Sequence, residues 1–319
     1  MPLNDRKQRV VKSRASGLFF AALAVTLLCG SFGHHAAAAQ QKLFATAEAA
    51  VAAFVSAVKE NNEKELLAIF GDAGKELVAS GDPVDDRQRR ELFIREFEQK
   101  SKLTPEGAKM VLVIGEKEWP FPVPVAKKGD RWFFDTLAGK EEILNRRVGE
   151  NELSTVQTLL AIVDAQREYA MKDRNNNGVR EYAQKFRSDP GQQNGLYWGA
   201  KPGEEPSPLG ALVADARADG YAKTGARTGP VPFHGYYFRM LTKQGKNASG
   251  GAFDYVVRNK MVGGFAVVAY PAVYGSSGVM TFAVNHDGVV YEKDFGKNTA
   301  KAAKEMHSFN PDKTWKQFE

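Results

Sequence analysis

The chain has a single cysteine, Cys29, and it lies in a short apolar segment near the N-terminus. Basic residues precede this segment (17–29), and a run of small residues (36–39) follows it. This order is typical of a secretory signal peptide, so we predict a signal over residues 1–39 that is cleaved near Ala39. Because the mature chain then lacks cysteine, no disulfide can form, and an ordinary hydrophobic core must hold the fold.

The predicted signal places the mature protein in the periplasm or outside the cell. As an alternative, Cys29 is the lipid anchor of a lipoprotein, but Leu28 stands where such signals carry a small residue. The apolar segment is too short to span a bilayer comfortably, and no later segment reaches that length. We therefore expect no transmembrane segment in the mature chain.

Charge argues against one class of partner. The formal net charge is +6, but five basic residues and one acidic residue lie in the predicted signal, so the mature chain carries about +2. Nucleic-acid-binding proteins normally present a concentrated basic face. The sequence thus predicts no nucleic acid as a partner, and leaves an envelope protein or a small ligand.

The first predicted domain (40–150) opens with three helical patterns. Thr46 is suited to cap the first, the second carries apolar residues from Leu66 to Leu77, and the third follows Asp82 and Pro83.

Strand patterns complete this domain. Residues 111–114 form a short apolar strand, and residues 116–125 alternate strictly, with prolines on one side that predict an edge strand. A turn at 128–130 leads into residues 131–135 and predicts a hairpin. Helices followed by a curved antiparallel sheet resemble the cone-shaped fold of the nuclear transport factor 2 type.

The second predicted domain (151–319) starts from a long helix. The pattern predicts this helix over 141–171, with an interruption around 149–151. Its predicted buried stripe consists of Leu153, Val156, Leu160 and Val163. Ser207 is suited to cap a short helix that ends at Gly220.

Five strand patterns follow in the same domain. They cover residues 236–241, 253–257, 264–270, 279–285 and 289–293, and Asp287-Gly288 is a strong hairpin signal. A helix followed by an antiparallel meander looks like the globular part of type IV pilins. Both predicted domains therefore belong to the α+β class.

One loop is a candidate for calcium. Asp173, Asn175 and Asn177 offer oxygen ligands at alternate positions before a glycine, as in an EF-hand. The twelfth position is Gln184 where an EF-hand has a glutamate, so Glu181 is the second carboxylate of a shorter loop. An ordinary helix-stop turn explains the same residues without any metal. No other cofactor is indicated.

No catalytic motif stands out, and we assign no catalytic residue. A binding or interaction module of the cell envelope explains the aromatic-rich second domain without reactive groups. As alternatives, the protein is a hydrolase that uses His234 and His286 in a cleft of that domain, or a pilin-like assembly component. The candidates for ligand or partner contact are Tyr197, Trp198, His234, Tyr236, Tyr237, Asp254 and His286.

Several compound sequence blocks between residues 153 and 315 resemble one family. They are VQTL (156–159), AQREYA (165–170), EYAQK (181–185), GLYW (195–198), GEEPSPLG (203–210), HGYYF (234–238) and NHDGVVY (285–291). The chain resembles the uncharacterised exported bacterial proteins of domain of unknown function 2950. The resemblance implies an envelope protein of Gram-negative type bacteria, and it implies no reaction.

Overall fold

Four helices open the computed structural model, which describes residues 41–221 and 230–319. The predicted signal peptide and Cys29 lie outside the described residues. The three predicted helical patterns are confirmed, although the second is split by Gly71, whose φ of 67° ends one helix before the next begins. The helices are α1 (Ala47–Lys59), α2 (Glu63–Phe70), α3 (Lys75–Val78) and α4 (Pro83–Gln99).

Side-chain caps fix where three of these helices begin, and those of α1 and α4 had the clearest signals in the sequence. The hydroxyl of Thr46 accepts a hydrogen bond from the backbone N–H of Ala49, at 3.1 Å. Asp82 accepts bonds from the N–H groups of Val84 and Asp85, at 3.1 and 3.3 Å. Both caps satisfy N–H groups that a helix start leaves without a partner.

An antiparallel sheet follows the helices, in the order β1-β2-β4-β5 with β3 paired to β2. The predicted hairpin is confirmed, with Val125 opposite Phe134. Sequence patterning did not find the first strand. The strands are β1 (Ser101–Glu106), β2 (Lys109–Ile114), β3 (Trp119–Pro120), β4 (Val125–Lys128) and β5 (Arg131–Phe134).

The predicted continuous strand over 116–125 is wrong. Within it only Trp119–Pro120 and Val125 are strand, because Pro122 and Pro124 between them have no N–H to donate to a neighbour. The alternation still sorts the side chains, since Phe121 and Val123 are buried in the first core. In that core the ring centre of Phe54 lies within 5.3 Å of the ring centres of Phe70, Phe93, Phe121 and Phe134.

One long helix, α5 (Thr136–Tyr169), joins the two halves of the chain. The predicted interruption at 149–151 is wrong, because the helix runs through Gly149 without a break. Asn151 is tolerated there because it is buried and donates to the carbonyl of Ser277, at 2.9 Å.

The buried stripe of α5 also differs from the predicted one. Val156 and Val163 are buried as expected, but Leu159 takes the third core position, while Leu153 and Leu160 are 57% and 41% exposed. Each residue of a helix is rotated by about 100° from the one before it. The positions of Leu153 and Leu160 are therefore rotated away from the buried face, and Leu159 lies on it.

The C-terminal half contains a five-stranded antiparallel sheet in the order β14-β13-β12-β11-β6, and the mixed helix and antiparallel-sheet class is confirmed. The Asp287-Gly288 turn is confirmed by a bond from Gly288 N to Asn285 O, at 2.9 Å. The strands and helices of this half are β6 (Tyr236–Leu241), β7 (Lys243–Gln244), β8 (Phe253–Asp254), β9 (Val256–Val257), β10 (Lys260–Met261), β11 (Ala266–Pro271), β12 (Thr281–Asn285), β13 (Val290–Lys293), β14 (Lys316–Gln317), α6 (Gly210–Ala218) and α7 (Thr299–Glu305).

Two details of this half correct the prediction. Helix α6 begins at Gly210 without a side-chain cap, because Ser207 instead closes a preceding turn through its carbonyl oxygen, 2.7 Å from Gly210 N. The predicted strand over 253–257 is divided into the short strands β8 and β9, which pair with different neighbours.

Two hydrophobic clusters lie within one compact unit, to which all the described residues belong. The first is built from residues between Phe44 and Phe134, and the second from residues between Val156 and Phe309. The domain boundary near residue 150 stays a prediction, since α5 crosses it. In the part of the chain that the structure describes, no helix is long and apolar enough to cross a bilayer.

Candidate functional site

The loop that follows α5 folds around the carboxylate of Asp173. Its two oxygens accept hydrogen bonds from the N–H groups of Asn177 and Gly178, at 3.1 and 2.7 Å. These bonds lower the pKa of Asp173, because they stabilise the ionised form. Gly178 has a φ of 78°, a conformation that glycine adopts without a steric penalty. The loop is thus closed by its own residues.

A second carboxylate holds two side-chain amides of this loop. One oxygen of Glu181, Oε1, accepts hydrogen bonds from the amide groups of Asn175 and Asn177, at 2.9 and 2.7 Å. Glu181 is buried, whereas both asparagines are exposed. No described residue donates to the other oxygen, Oε2, so that oxygen keeps its capacity to accept a hydrogen bond.

The β9–β10 hairpin lies against this loop. Tyr182 N donates to Met261 O at 2.8 Å, and the amide of Gln184 donates to Asn259 O at 2.7 Å. Arg258 and Asn259 have φ angles of 50° and 64°, the left-handed values of a tight two-residue hairpin turn. These contacts fix the position of the turn, and with it the exposed side chain of Arg258.

Loop and hairpin together enclose a polar cleft of about 440 Å³. Apart from two tyrosines, its lining consists of amide, carboxylate and cationic side chains. The residues are Tyr169, Asn175, Asn177, Glu181, Tyr182, Gln184, Lys185, Asn194, Arg258, Asn259 and Lys260.

A buried arginine supports the cleft from below. Arg174 lies between the rings of Tyr169 and Trp198, with its guanidinium carbon 5.4 and 5.2 Å from the ring centres. It also donates to the carboxylate of Glu205, at 3.1 Å, and its side chain is only 2% exposed. Tyr169 in turn donates to Gln193 O, and burial raises the pKa of its hydroxyl. The position of Arg174, at the base of the loop, is therefore fixed by Tyr169 on one side and Trp198 on the other.

The positive charge closest to the loop oxygens belongs to Lys260. Its ammonium group lies 3.1 Å from Oδ1 and 3.4 Å from the carbonyl oxygen of Asn177. The amide oxygen of Asn177 also accepts a bond from Val179 N. Two of the oxygens that a calcium ion would use are thus already engaged, and no group of three or more His, Cys, Asp or Glu that could hold a metal occurs among residues 41–221 and 230–319. Calcium at Asp173, Asn175, Asn177 and Glu181 stays a prediction, and these contacts do not favour it.

Two predicted contact residues lie beside the cleft and support it. Trp198 is buried against Arg174, and its indole N–H donates to Glu205 O at 3.3 Å. Tyr197 is half-buried, with the guanidinium of Arg217 5.3 Å from its ring centre.

The other predicted contact residues lie along the C-terminal sheet. Tyr236 is fully buried, and its hydroxyl donates to Met280 O at 3.0 Å. Its neighbour Tyr237 is half-buried beside Tyr270. Asp254 is exposed in β8. A fully buried side chain cannot contact a partner directly, so Tyr236 belongs to the core.

The two histidines of the hydrolase alternative do not share a cleft. His234 precedes Tyr236, which pairs with Pro271, while His286 follows Asn285 at the opposite end of the same strands. The two ends are separated by about five residues, on the order of 17 Å. His286 lies beside Asp287, with 3.8 Å between Nε2 and Oδ1, and His234 has a strained φ of 47°. The structure therefore does not bring these two histidines together as the hydrolase alternative requires.

A buried polar cluster, which the sequence did not reveal, joins the two halves of the chain. Arg147 is 4% exposed and donates to the carbonyl oxygens of Glu76 and Leu77 at 2.6 and 3.0 Å, and to the hydroxyl of Ser276 at 3.4 Å. Burial lowers its pKa. Because these partners are mostly backbone carbonyls, the cluster serves the structure.

A larger groove of about 770 Å³ lies between α1 and α4. Two of its charged side chains, Lys59 and Glu98, are paired at 2.6 Å. Arg87 is exposed there. Charged side chains on helix faces are usually solvated surface, so the polar cleft is the stronger candidate site.

Sequence reasoning found the loop half of the cleft and missed the hairpin half. Arg258-Asn259 is not an Asn-Gly or Asp-Gly pair, the dipeptides that mark a two-residue hairpin, so the turn had no clear signal in the sequence. The contact of the hairpin with the loop had none either, because it depends on the pairing of Tyr182 with Met261.

Comparison with known proteins gives a family and nothing finer. No curated protein and no solved structure is similar enough to the chain to match it. One family model, described as a protein of unknown function (DUF2950), matches residues 41–318, which covers both halves of the fold and the whole cleft. The chain therefore belongs to the DUF2950 family.

Proposed function

We propose that this protein is an exported, noncatalytic binding module of the cell envelope, and that the polar cleft is its ligand site. The observation that carries the proposal is the pair of exposed amides, Asn175 and Asn177, that a buried carboxylate holds in place at 2.9 and 2.7 Å. Side chains fixed in this way lose little further freedom on binding, which favours affinity for a polar ligand.

The composition of the cleft supports binding more than catalysis. Its amides, carboxylate and cations can donate and accept hydrogen bonds with a ligand. Among the described residues of the lining there is no serine, cysteine or histidine to act as a nucleophile with its base. The role therefore rests on recognition.

Export rests on the N-terminal sequence, and the fold analogies rest on layout. The basic, apolar and small-residue regions of 1–39 support a signal peptide that directs the chain to the periplasm. The helices and antiparallel sheet up to residue 134 support a nuclear transport factor 2-like layout, and α5 with its meander supports a pilin-like one. Assembly with other envelope proteins through the pilin-like half is the second candidate function.

A photocrosslinking experiment tests the site. The full chain is expressed at its native level with p-benzoylphenylalanine in place of Tyr182, which lines the cleft and makes no side-chain hydrogen bond to any described residue. The matched control carries it at Tyr237, a half-buried tyrosine on the sheet. After irradiation, the intact mass and the peptide map identify the adduct.

We expect a defined adduct at position 182 that is absent at position 237. Adducts only at position 237, or equal adducts at both positions, would contradict the assignment of the ligand site to the cleft and favour a site on the sheet. Fractionation of the same cells tests export: periplasmic protein that has lost about its first 39 residues supports it, and a full-length cytoplasmic chain contradicts it.

A further inference from the structure

We infer that the polar cleft binds an acidic saccharide, that is, a polyhydroxylated ring that carries one carboxylate. This inference rests on the proposed function and names the ligand class of the same site. It follows from three properties of the lining: its hydrogen-bonding groups, its aromatic surface and its distribution of charge.

The hydrogen-bonding groups suit hydroxyls. A sugar hydroxyl donates one hydrogen bond and accepts others, so it fits a site that offers both donors and acceptors. The amide of Asn177 uses one of its two N–H donors on Glu181 and keeps the other, and Oε2 of Glu181 accepts without a donor from the described residues. Neighbouring hydroxyls of a ring can bind to such planar groups in pairs, which fixes the orientation of the ring.

An aromatic ring stands in the same lining. Tyr182 is half-buried, and its edge-to-face contact with Phe265, with 5.0 Å between ring centres, fixes its plane. A pyranose has an apolar face of C–H groups that packs against such a ring, whereas its hydroxyls point to the rim. The combination of one fixed tyrosine and several amides therefore suits a sugar better than an apolar ligand.

Charge selects an anionic sugar. Of the three cations in the lining, Lys185 is paired with Asp189 at 2.6 Å, and Lys260 donates to the oxygens of Asn177 next to Asp173. Arg258 contacts no carboxylate among the described residues, and its side chain is exposed. Its guanidinium can bind a carboxylate through two parallel hydrogen bonds.

The distribution of charge in the cleft also favours a carboxylate over a phosphate as the anionic group of the ligand. Glu181 places a negative charge in the cleft, and only one cation there lacks a carboxylate neighbour. A dianionic phosphate monoester would therefore meet more repulsion than a ligand with a single negative charge.

A titration of the mature protein tests the inference. Uniformly ¹⁵N-labelled residues 40–319 are titrated with D-glucuronate, D-glucose and D-glucose 6-phosphate, and amide chemical shifts report both the affinity and the location. We expect the shifts to concentrate at 175–185 and 258–260, with D-glucuronate binding most tightly. Equal affinity for D-glucose, or tighter binding of the phosphate, would overturn the assignment of the carboxylate.

Two variants separate the roles of charge and hydroxyl recognition. Arg258→Gln should weaken D-glucuronate binding by about tenfold to a hundredfold, the usual effect of a hydrogen bond to a charged group, and leave D-glucose unchanged. Glu181→Gln should weaken both sugars. Arg87→Gln removes the same charge from the distant groove and should change neither. An equal loss in Arg87→Gln would show that net charge, and no specific contact, governs binding.

The titration and the photocrosslinking experiment together distinguish a wrong ligand class from a wrong binding site. If none of the three compounds shifts the cleft amides while the adduct at position 182 persists in cells, the ligand class is wrong and the binding site stands. If that adduct is also missing, both the ligand class and the binding site are wrong. Melting temperatures within about 1 °C of the unsubstituted protein show that each variant is folded.

Discussion

Oδ2 of Asp82 accepts a hydrogen bond from the backbone N–H of Gly235, at 2.9 Å, although 153 positions separate the two residues in sequence. The same oxygen accepts the hydroxyl of Tyr221, also at 2.9 Å, and the other carboxylate oxygen caps α4. Burial raises the pKa of the Tyr221 hydroxyl, and the charge of the Asp82 carboxylate raises it further. One side chain therefore connects the start of a helix in the first half to a strained turn in the second.

Removing this carboxylate should destabilise the whole protein. We expect Asp82→Ala to lower the free energy of unfolding by roughly 3 kcal/mol, since it removes a helix cap and leaves buried donors without an acceptor. Urea denaturation followed by circular dichroism measures the change. Asp130→Ala, at an exposed turn, is the control and should stay within about 0.5 kcal/mol. Similar values for both variants would show that the connection contributes nothing.

Alanine substitutions at two glycines of α5 should change the free energy of unfolding in opposite directions. Gly149 has open space around the added Cβ, so Gly149→Ala should raise the free energy of unfolding by about 0.5–1 kcal/mol through helix propensity. In Gly139→Ala the new Cβ would lie 2.2 Å from the carbonyl oxygen of Pro122, and we expect a loss of roughly 2 kcal/mol. Thermal and urea unfolding compare the pair. Destabilisation by Gly149→Ala would mean that the helix is interrupted there.

The buried carboxyl of Asp86 should make stability depend on pH. Burial raises its pKa above the ordinary value of 3.8, although bonds from Ser80 and the charges of Arg147 and Arg90 oppose the shift. The folded state therefore holds this proton more tightly than the unfolded chain, and this contribution to stability declines as pH rises from about 3.8 through the raised pKa.

Asp86→Asn removes that titration. We expect the variant to lose less stability than the unsubstituted protein over this pH window, as measured by urea unfolding at closely spaced pH values. Asp130→Asn serves as the control, since that carboxyl is exposed. Parallel pH profiles for the Asp86→Asn variant and the unsubstituted protein would contradict the prediction.

The neighbouring tyrosines 236 and 237 should differ in their effect on folding. Tyr236→Phe leaves the carbonyl of Met280 without its donor and should cost about 1–2 kcal/mol, whereas Tyr237→Phe should stay within about 0.5 kcal/mol. Tyr236→Ala should cost about 3–5 kcal/mol because it empties a core position. A loss of partner binding in Tyr236→Ala would therefore report unfolding, so binding experiments should use Tyr237→Ala. Equal costs for the two phenylalanine variants would refute the assignment.

Local signals in the sequence predicted the elements whose structure depends on near neighbours. Thr46 caps the helix that it was expected to cap, α4 begins after Asp82 as expected, and the apolar runs around Asp287-Gly288 predicted its hairpin. Predictions failed where distant contacts decide. The stretch 149–151 stays helical because Asn151 bonds to Ser277, and Ser207 is no cap because the following turn closes on its carbonyl oxygen.

In the candidate site, too, residues close in sequence were predicted and distant contacts were missed. Asp173, Asn175, Asn177 and Glu181 were found because they are close in sequence. Lys260 was missed, because its contact with Asn177 spans 83 positions. A pattern of oxygen ligands predicts a cation without saying which one, and here the cation that the loop meets is the ammonium group of a lysine on a distant hairpin.

The unbroken helix α5 limits how the gene for this protein can change. Both cores pack on one rod, the first near Ile143 and the second from Val156 onwards. Inserting a single codon between those positions would rotate one core relative to the other by about 100° and separate them by about 1.5 Å. Insertions and deletions in this segment should therefore be selected against unless they restore whole helical turns, whereas the surface loops on either side can vary in length.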